Sequence, residues 1–255
     1  MPRSQSSSQM PDKMKNLSPF VLTLFALAFV SAASAQVPDN VMRVAPGGVT
    51  LIVPTISGFQ LPLGQERAVS ALAEPFVLPK NRLLAVLLTT ADLRLMATGG
   101  RPKLEDYFTL QIPRSMENHV ATVTEFQPFR RGIRETHEAG QYRISPTVKQ
   151  QLAEASKQLG DRYGSKITLS ITEPMALGVF DDTERSIGTT LLARTRAEAH
   201  EARTDDFMVS SSVATVVRGK LLYIYGACTF NSMADVSRCN SYAKVWLSAL
   251  HAANP

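Results

Sequence analysis

The chain is predicted to fold as α+β: a mainly antiparallel sheet packed by helices, with a closing C-terminal helix. Three observations point there. Short β-rich stretches separated by turn residues recur along the chain, and the last two, Phe207–Val217 and Leu221–Cys228, are joined only by Arg218-Gly219-Lys220. Helical patterns sit mid-chain, and another ends the sequence. Hairpin connections favour antiparallel pairing, and such a sheet buries its apolar faces under helices.

After Val37-Pro38 a short lead reads as flexible, and Val49–Val53 then forms a strand ended by Pro54. Phe59–Leu63 is a second extended piece. Gln65–Glu74 brings Ala68, Val69 and Leu72 to helical spacing before Pro75 closes it. Leu83–Leu88 is continuously apolar and fits a strand buried on both faces; periodicity leaves a core helix open as the alternative. Gly99-Gly100-Arg101-Pro102 makes a loop, and Tyr107–Ile112 is a strand stopped by Pro113.

Thr124 offers an N-cap for a helix carrying Phe126, Phe129 and Ile133 on one face, with Pro128 near its first turn. Ser145-Pro146 is a stronger start, a capping hydroxyl followed by proline at the first helical position. Val148, Leu152, Ala155, Leu159 and Tyr163 continue it as an apolar stripe, and Gly164 stands where a C-terminal cap belongs. Lys166–Thr172 and Met175–Phe180 read as strands. Between Ile187 and Arg203 alternation favours a strand, while Ala-Glu-Ala-His-Glu-Ala favours helix; the strand is preferred. The last helix runs from about Asp235 to Ala253, with Val236, Ala243, Trp246, Leu247 and Leu250 facing the core.

The N-terminus carries an address. Lys13 and Lys15 precede an apolar run from Phe20 to Val30 that leads into Ala33-Ser34-Ala35, the layout of a secretory signal peptide over residues 1–35 with cleavage after Ala35. Met10 or Met14 could equally open a shorter leader. The run is well short of the roughly 20 residues a spanning helix requires. An uncleaved leader would instead tether an exported body to the membrane. Residues 36–255 then form a single exported domain, periplasmic or extracellular. Losing Arg3, Asp12, Lys13 and Lys15 lowers the formal net charge from +5 to +3. That modest charge, with no basic stripe or recognisable module, argues against nucleic acid as a partner.

In an oxidising compartment Cys228 and Cys239 read as a disulfide, the alternative being two buried thiols. No C-x-x-C spacing suggests redox chemistry. His119, His137, His200 and His251 form no H-x-x-x-H pair and read as surface or capping residues, so zinc is unsupported and no cofactor is expected. Asp181-Asp182-Thr183-Glu184 is the densest acidic group; its oxygens could hold Ca²⁺ or serve a dispersed hydrolase site, but the spacing fails the calcium-loop pattern and a solvated turn explains it. Asp205-Asp206 likewise reads as a turn. Ser241-Tyr242-Ala243-Lys244 has S-x-x-K spacing, yet lies too near the C-terminus for the later elements of that catalytic set.

Arg130, Arg131 and Arg134 share a helix with Phe126, Phe129 and Ile133 and could meet an anionic surface such as lipid headgroups. The plainer alternative is a solvated face with Arg131–Glu135 or Arg134–Glu138 pairs. Trp246, the one tryptophan, reads as a core anchor.

Val216–Tyr225, followed by Lys244–Leu247 and Ala252-Ala253-Asn254, with Asn81–Ala85 ahead of them, resembles exported bacterial proteins of uncharacterised function. The resemblance implies an exported α+β domain and transfers no catalytic residue. The hairpin-then-helix ending is also similar to the α/β/α sandwich of photosystem II extrinsic-type proteins, a likeness of fold alone. The expected function is therefore a non-enzymatic exported protein binding an envelope protein or a small ligand, with a dispersed-site hydrolase as the competing class.

Overall fold

A computed structural model describes residues 41–255 apart from 101, 141, 173, 200 and 201. The leader and its cleavage site, with His200, lie outside the described residues. Ten strands and five helices follow in order: β1 (Val41–Val44), β2 (Leu51–Pro54), β3 (Phe59–Gln60), α1 (Glu66–Ala73), β4 (Asn81–Thr89), α2 (Thr90–Ala97), β5 (Asp106–Pro113), α3 (Val123–Glu138), α4 (Pro146–Tyr163), β6 (Ile167–Ile171), β7 (Met175–Asp182), β8 (Ser186–Ala199), β9 (Ala202–Val217), β10 (Lys220–Thr229) and α5 (Met233–Ala253). The α+β expectation holds.

The main sheet has the order β3-β4-β5-β10-β9-β8-β6, with β7 also paired to β8, and its pairings are antiparallel. β1 and β2 form a separate hairpin. The last strands to be made thus occupy the centre: β10 bonds β9 on one side and β5 on the other. Because side chains alternate across a strand, the sheet has two buried faces. On one, Phe108, Leu110, Ile112, Val209, Val213, Leu222 and Ile224 pack against α5 and β2. On the other, Ile187, Ala214, Val216 and Leu221 meet Phe126 of α3, while Val86 and Leu88 meet Val69 of α1.

Local chemistry explains most boundaries. Ser145 caps α4 through the Val148 amide, Pro146 occupies its first turn, and Gly164 ends it at φ 63°. The β9–β10 turn places Arg218 at φ 46° and Gly219 at φ 72°, the doubly positive geometry of a two-residue hairpin, with Arg218 Nη1 donating to Thr50 O at 2.8 Å. Gly226 stands in register with Phe108, and a Cβ there would come within 2.2 Å of that ring. Phe108 is thereby free to lie across β10 and meet Phe59, Tyr242 and Trp246 edge-on. The Trp246 indole N–H donates to Pro54 O at 2.9 Å, as a buried indole requires.

Several expectations are corrected. Thr122, not Thr124, caps α3, through a reciprocal box with Glu125; Pro128 therefore sits in the helix interior. The flexible lead contains β1. Residues 90–97 form a helix, α2, capped by Thr89, which the sequence reading passed over. Leu83–Leu88 belongs to strand β4, and Ile187–Ala199 to strand β8, so both ambiguities resolve to strand. Asp205 and Asp206 are not a turn but part of β9, where Asp205 accepts from Arg194 and Arg196. Trp246 is wholly buried, as its helical position predicts.

Candidate functional site

The two charged groups singled out in the sequence meet each other. α3 crosses β7, and Arg134 and Arg130 both pair with the Asp182 carboxylate, the Arg130 Nε lying 3.4 Å from it. Arg130 also donates to Thr183 O, and Gln127 Nε2 donates to Glu184 O at 2.9 Å. The guanidinium groups of Arg130 and Arg134 thus hold α3 to the end of β7, while Arg131 is exposed. Arg134 turns to Asp182 rather than to Glu138. This partly exposed tether is worth little in water, so Asp182→Asn is expected to lower the unfolding free energy, measured by urea denaturation, by about 1 kcal/mol or less. A loss above about 3 kcal/mol would mean that the pair behaves as a buried one.

Asp181 and Glu184 open onto a different space. The end of β7, the turn and the start of β8 contribute Asp181, Thr183, Glu184, Arg185 and Ser186 to an open cleft of about 470 Å³, closed on its other side by Leu247, Ser248 and His251 of α5. The turn is built by Thr183, whose Oγ1 accepts from the Arg185 and Ser186 amides at 3.2 and 3.1 Å. Ser186 donates to Asp181 and is buried.

His251 is positioned by Thr215. The Thr215 hydroxyl donates to Arg185 O at 3.0 Å, which spends its one proton, so the 2.9 Å contact with His251 Nε2 requires that nitrogen to carry the hydrogen. Nδ1 keeps its lone pair. Burial lowers the imidazole pKa below its ordinary value, and the Arg185 charge lowers it further, against an opposing contribution from Asp181. The imidazole is accordingly neutral at pH 7.

This is not a nucleophile–base pair. The one hydroxyl that donates to a carboxylate, Ser186 to Asp181, is buried at 2 % exposure, and Thr215 gives its proton to Arg185 O rather than to His251. Nor do the carboxylates form a metal cage: Asp182 is held by arginines, Asp181 by Ser186, and among the described residues no group of three or more His, Cys, Asp or Glu is placed to hold a metal ion. The S-x-x-K residues also part company, Ser241 bonding Ser237 O and Lys244 lying over Phe180.

Cys228 and Cys239 form a disulfide, S–S 2.14 Å, joining central strand β10 to α5. Both cysteines are fully buried, so the bridge ties the floor of one core face to the helix that walls the cleft. Arg185, Ser186, Thr215 and His251 were missed as a group because they come from three stretches far apart in the chain, the start of β8 with the residue before it, β9 and α5. His137, read as a surface residue, is buried beneath β7. His119 lies 3.5 Å from Glu125 at the start of α3. Among the described residues no helix is long and apolar enough to cross a membrane. Comparison of the chain with protein-family models, curated proteins and solved structures finds no match.

Proposed function

We propose that the protein is an exported binding protein that holds a small, donor-rich ligand, an organic ammonium being the simplest, in the cleft between the β7–β8 turn and α5. One observation carries the reading: Asp181, Glu184 and the neutral His251 line one open volume together with a single guanidinium, Arg185. Two carboxylates against one guanidinium leave the lining net negative, which suits a cation bearing N–H groups. Export is supported by the leader and by a buried disulfide, a linkage that persists in oxidising compartments. A mature mass beginning at Gln36 would place the protein beyond the membrane without a tether; an intact leader would leave it anchored. A hydrolase draws less support, since the one serine beside a carboxylate here is only 2 % exposed.

Thermal-shift titration with spermidine at low ionic strength tests the site. The melting temperature is expected to rise with concentration, as it must for a ligand that binds the folded state alone. Glu184→Gln should weaken that rise without altering the unliganded melt, because the Glu184 side chain is exposed. No rise in the wild type, or an identical rise in the variant, would remove the cleft as the ligand site.

A further inference from the structure

We propose that His137 is a proton-sensitive latch that fastens the C-terminal end of α3 to strand β7 and lets go when the imidazole gains a proton. His137 is 4 % exposed, and both ring nitrogens are engaged. Nε2 receives the Gly178 amide N–H at 2.9 Å, and Nδ1 lies 2.8 Å from the Tyr142 hydroxyl. A backbone amide can only donate, so Nε2 must be an unprotonated acceptor. A proton on Nε2 would set two donors against each other across that distance. The contact cannot survive it.

The strand is shaped to make this bond. β7 and β8 slip register between Ala176 and Gly178, and Gly178 takes φ 132°, a conformation that favours glycine. The bulge turns the Gly178 N–H to His137. Around the ring the other groups are few. Glu138, next on α3, favours the cation, and Tyr142 is a neutral partner from the segment after the helix. β7 carries ionisable groups only at its far end, where Asp181 is bonded by Ser186 and Asp182 by Arg130 and Arg134. β8 and β9, which also contact α3, carry no ionisable side chain over Ile187–Ala193 and Ser210–Val216. Burial dominates and lowers the His137 pKa from 6.5.

The sign follows from that direction. A group whose pKa is lower folded than free stabilises the closed contact fully above its free value of 6.5, and the stabilisation is lost as pH falls from there through the folded value. The second tie between α3 and β7, Arg130 and Arg134 on Asp182, does not involve the imidazole. Protonating His137 thus frees the last turn of the helix while Arg130 and Arg134 keep the turns before it fastened.

Amide hydrogen exchange in the full chain, followed by NMR and corrected for the intrinsic pH dependence of exchange, tests the latch. Between about pH 7.5 and pH 5 the opening constant at Gly178 is expected to rise by up to about tenfold per pH unit within the titration window, with the Ile224 amide in the core unchanged. His137→Gln keeps an acceptor for the Gly178 amide but cannot titrate, so its profile should be flat. A flat wild-type profile, or the same rise in His137→Gln, overturns the proposal. Should that variant not fold, the wild-type ring protons decide: a His137 titration in step with the Gly178 opening supports the latch, and a titration out of step overturns it.

Discussion

Replacing Trp246 with alanine is expected to cost about 3–5 kcal/mol of stability, the range for truncating a buried aromatic side chain. Trp246 is fully buried on α5, lies edge-on to Phe108 at 6.1 Å, and donates its indole N–H to Pro54 O. Its removal therefore leaves a cavity at the junction of three elements, α5, β5 and β2, and an unanswered carbonyl. The measurement is urea denaturation followed by far-ultraviolet circular dichroism, since the variant has no tryptophan left to report. Trp246→Phe should recover most of the loss, because it restores ring volume and forfeits about 1 kcal/mol for the hydrogen bond. A loss under about 1 kcal/mol for Trp246→Ala would mean that the α5 interface can collapse onto the gap.

The second large effect belongs to the disulfide. Cys228 and Cys239 are 11 residues apart in sequence, and cross-linking a loop of that size stabilises by about 3 kcal/mol in the chain-entropy model. Cys228→Ala with Cys239→Ala is expected to lower the unfolding free energy by that amount. Because both sulfurs are buried, a mild reductant should act slowly on the folded protein and readily once it opens. Equal denaturation midpoints for the oxidised protein and the double variant would show that the bridge constrains nothing that the surrounding core does not already fix.

Much of the fold was legible wherever the determinants are local. Ser145-Pro146 and Gly164 mark both ends of α4 because a cap and a left-handed glycine act on the residues beside them. Arg218-Gly219 marks the β9–β10 hairpin for the same reason, and the stripe of α5 marks the face that meets the sheet. What escaped reading depends on partners far away. α2 is only eight residues long, begins one residue after a strand, and has a weak apolar face, so no periodic pattern could develop. β1 is four residues whose strand character comes from pairing with β2. Asp205-Asp206 has turn composition, yet is held extended by arginines across the β8–β9 ladder.

The site divides in the same way. The acidic run and the arginine cluster were visible as compositions, but that Arg130 and Arg134 reach Asp182 depends on α3 crossing β7, about fifty positions along the chain. His251 gave no local sign of a role. Only the fold places it beside Thr215 and the turn before β8.

Asn254 gives the molecule a requirement in time. Its side chain accepts from the Ile52 amide at 2.8 Å and donates to Ile52 O at 2.7 Å, closing a two-way bridge between β2 and the residue that follows α5. Together with the central place of β10, this leaves one edge of β5 without its neighbour, and β2 without its Asn254 bridge, until residues 220–254 have arrived. Whether it emerges from a ribosome or a translocation pore, such a chain stays unfinished to the end, its apolar strands open to chaperones and to neighbours for the whole interval. A chain cut before Asn254 would lack that closing bridge.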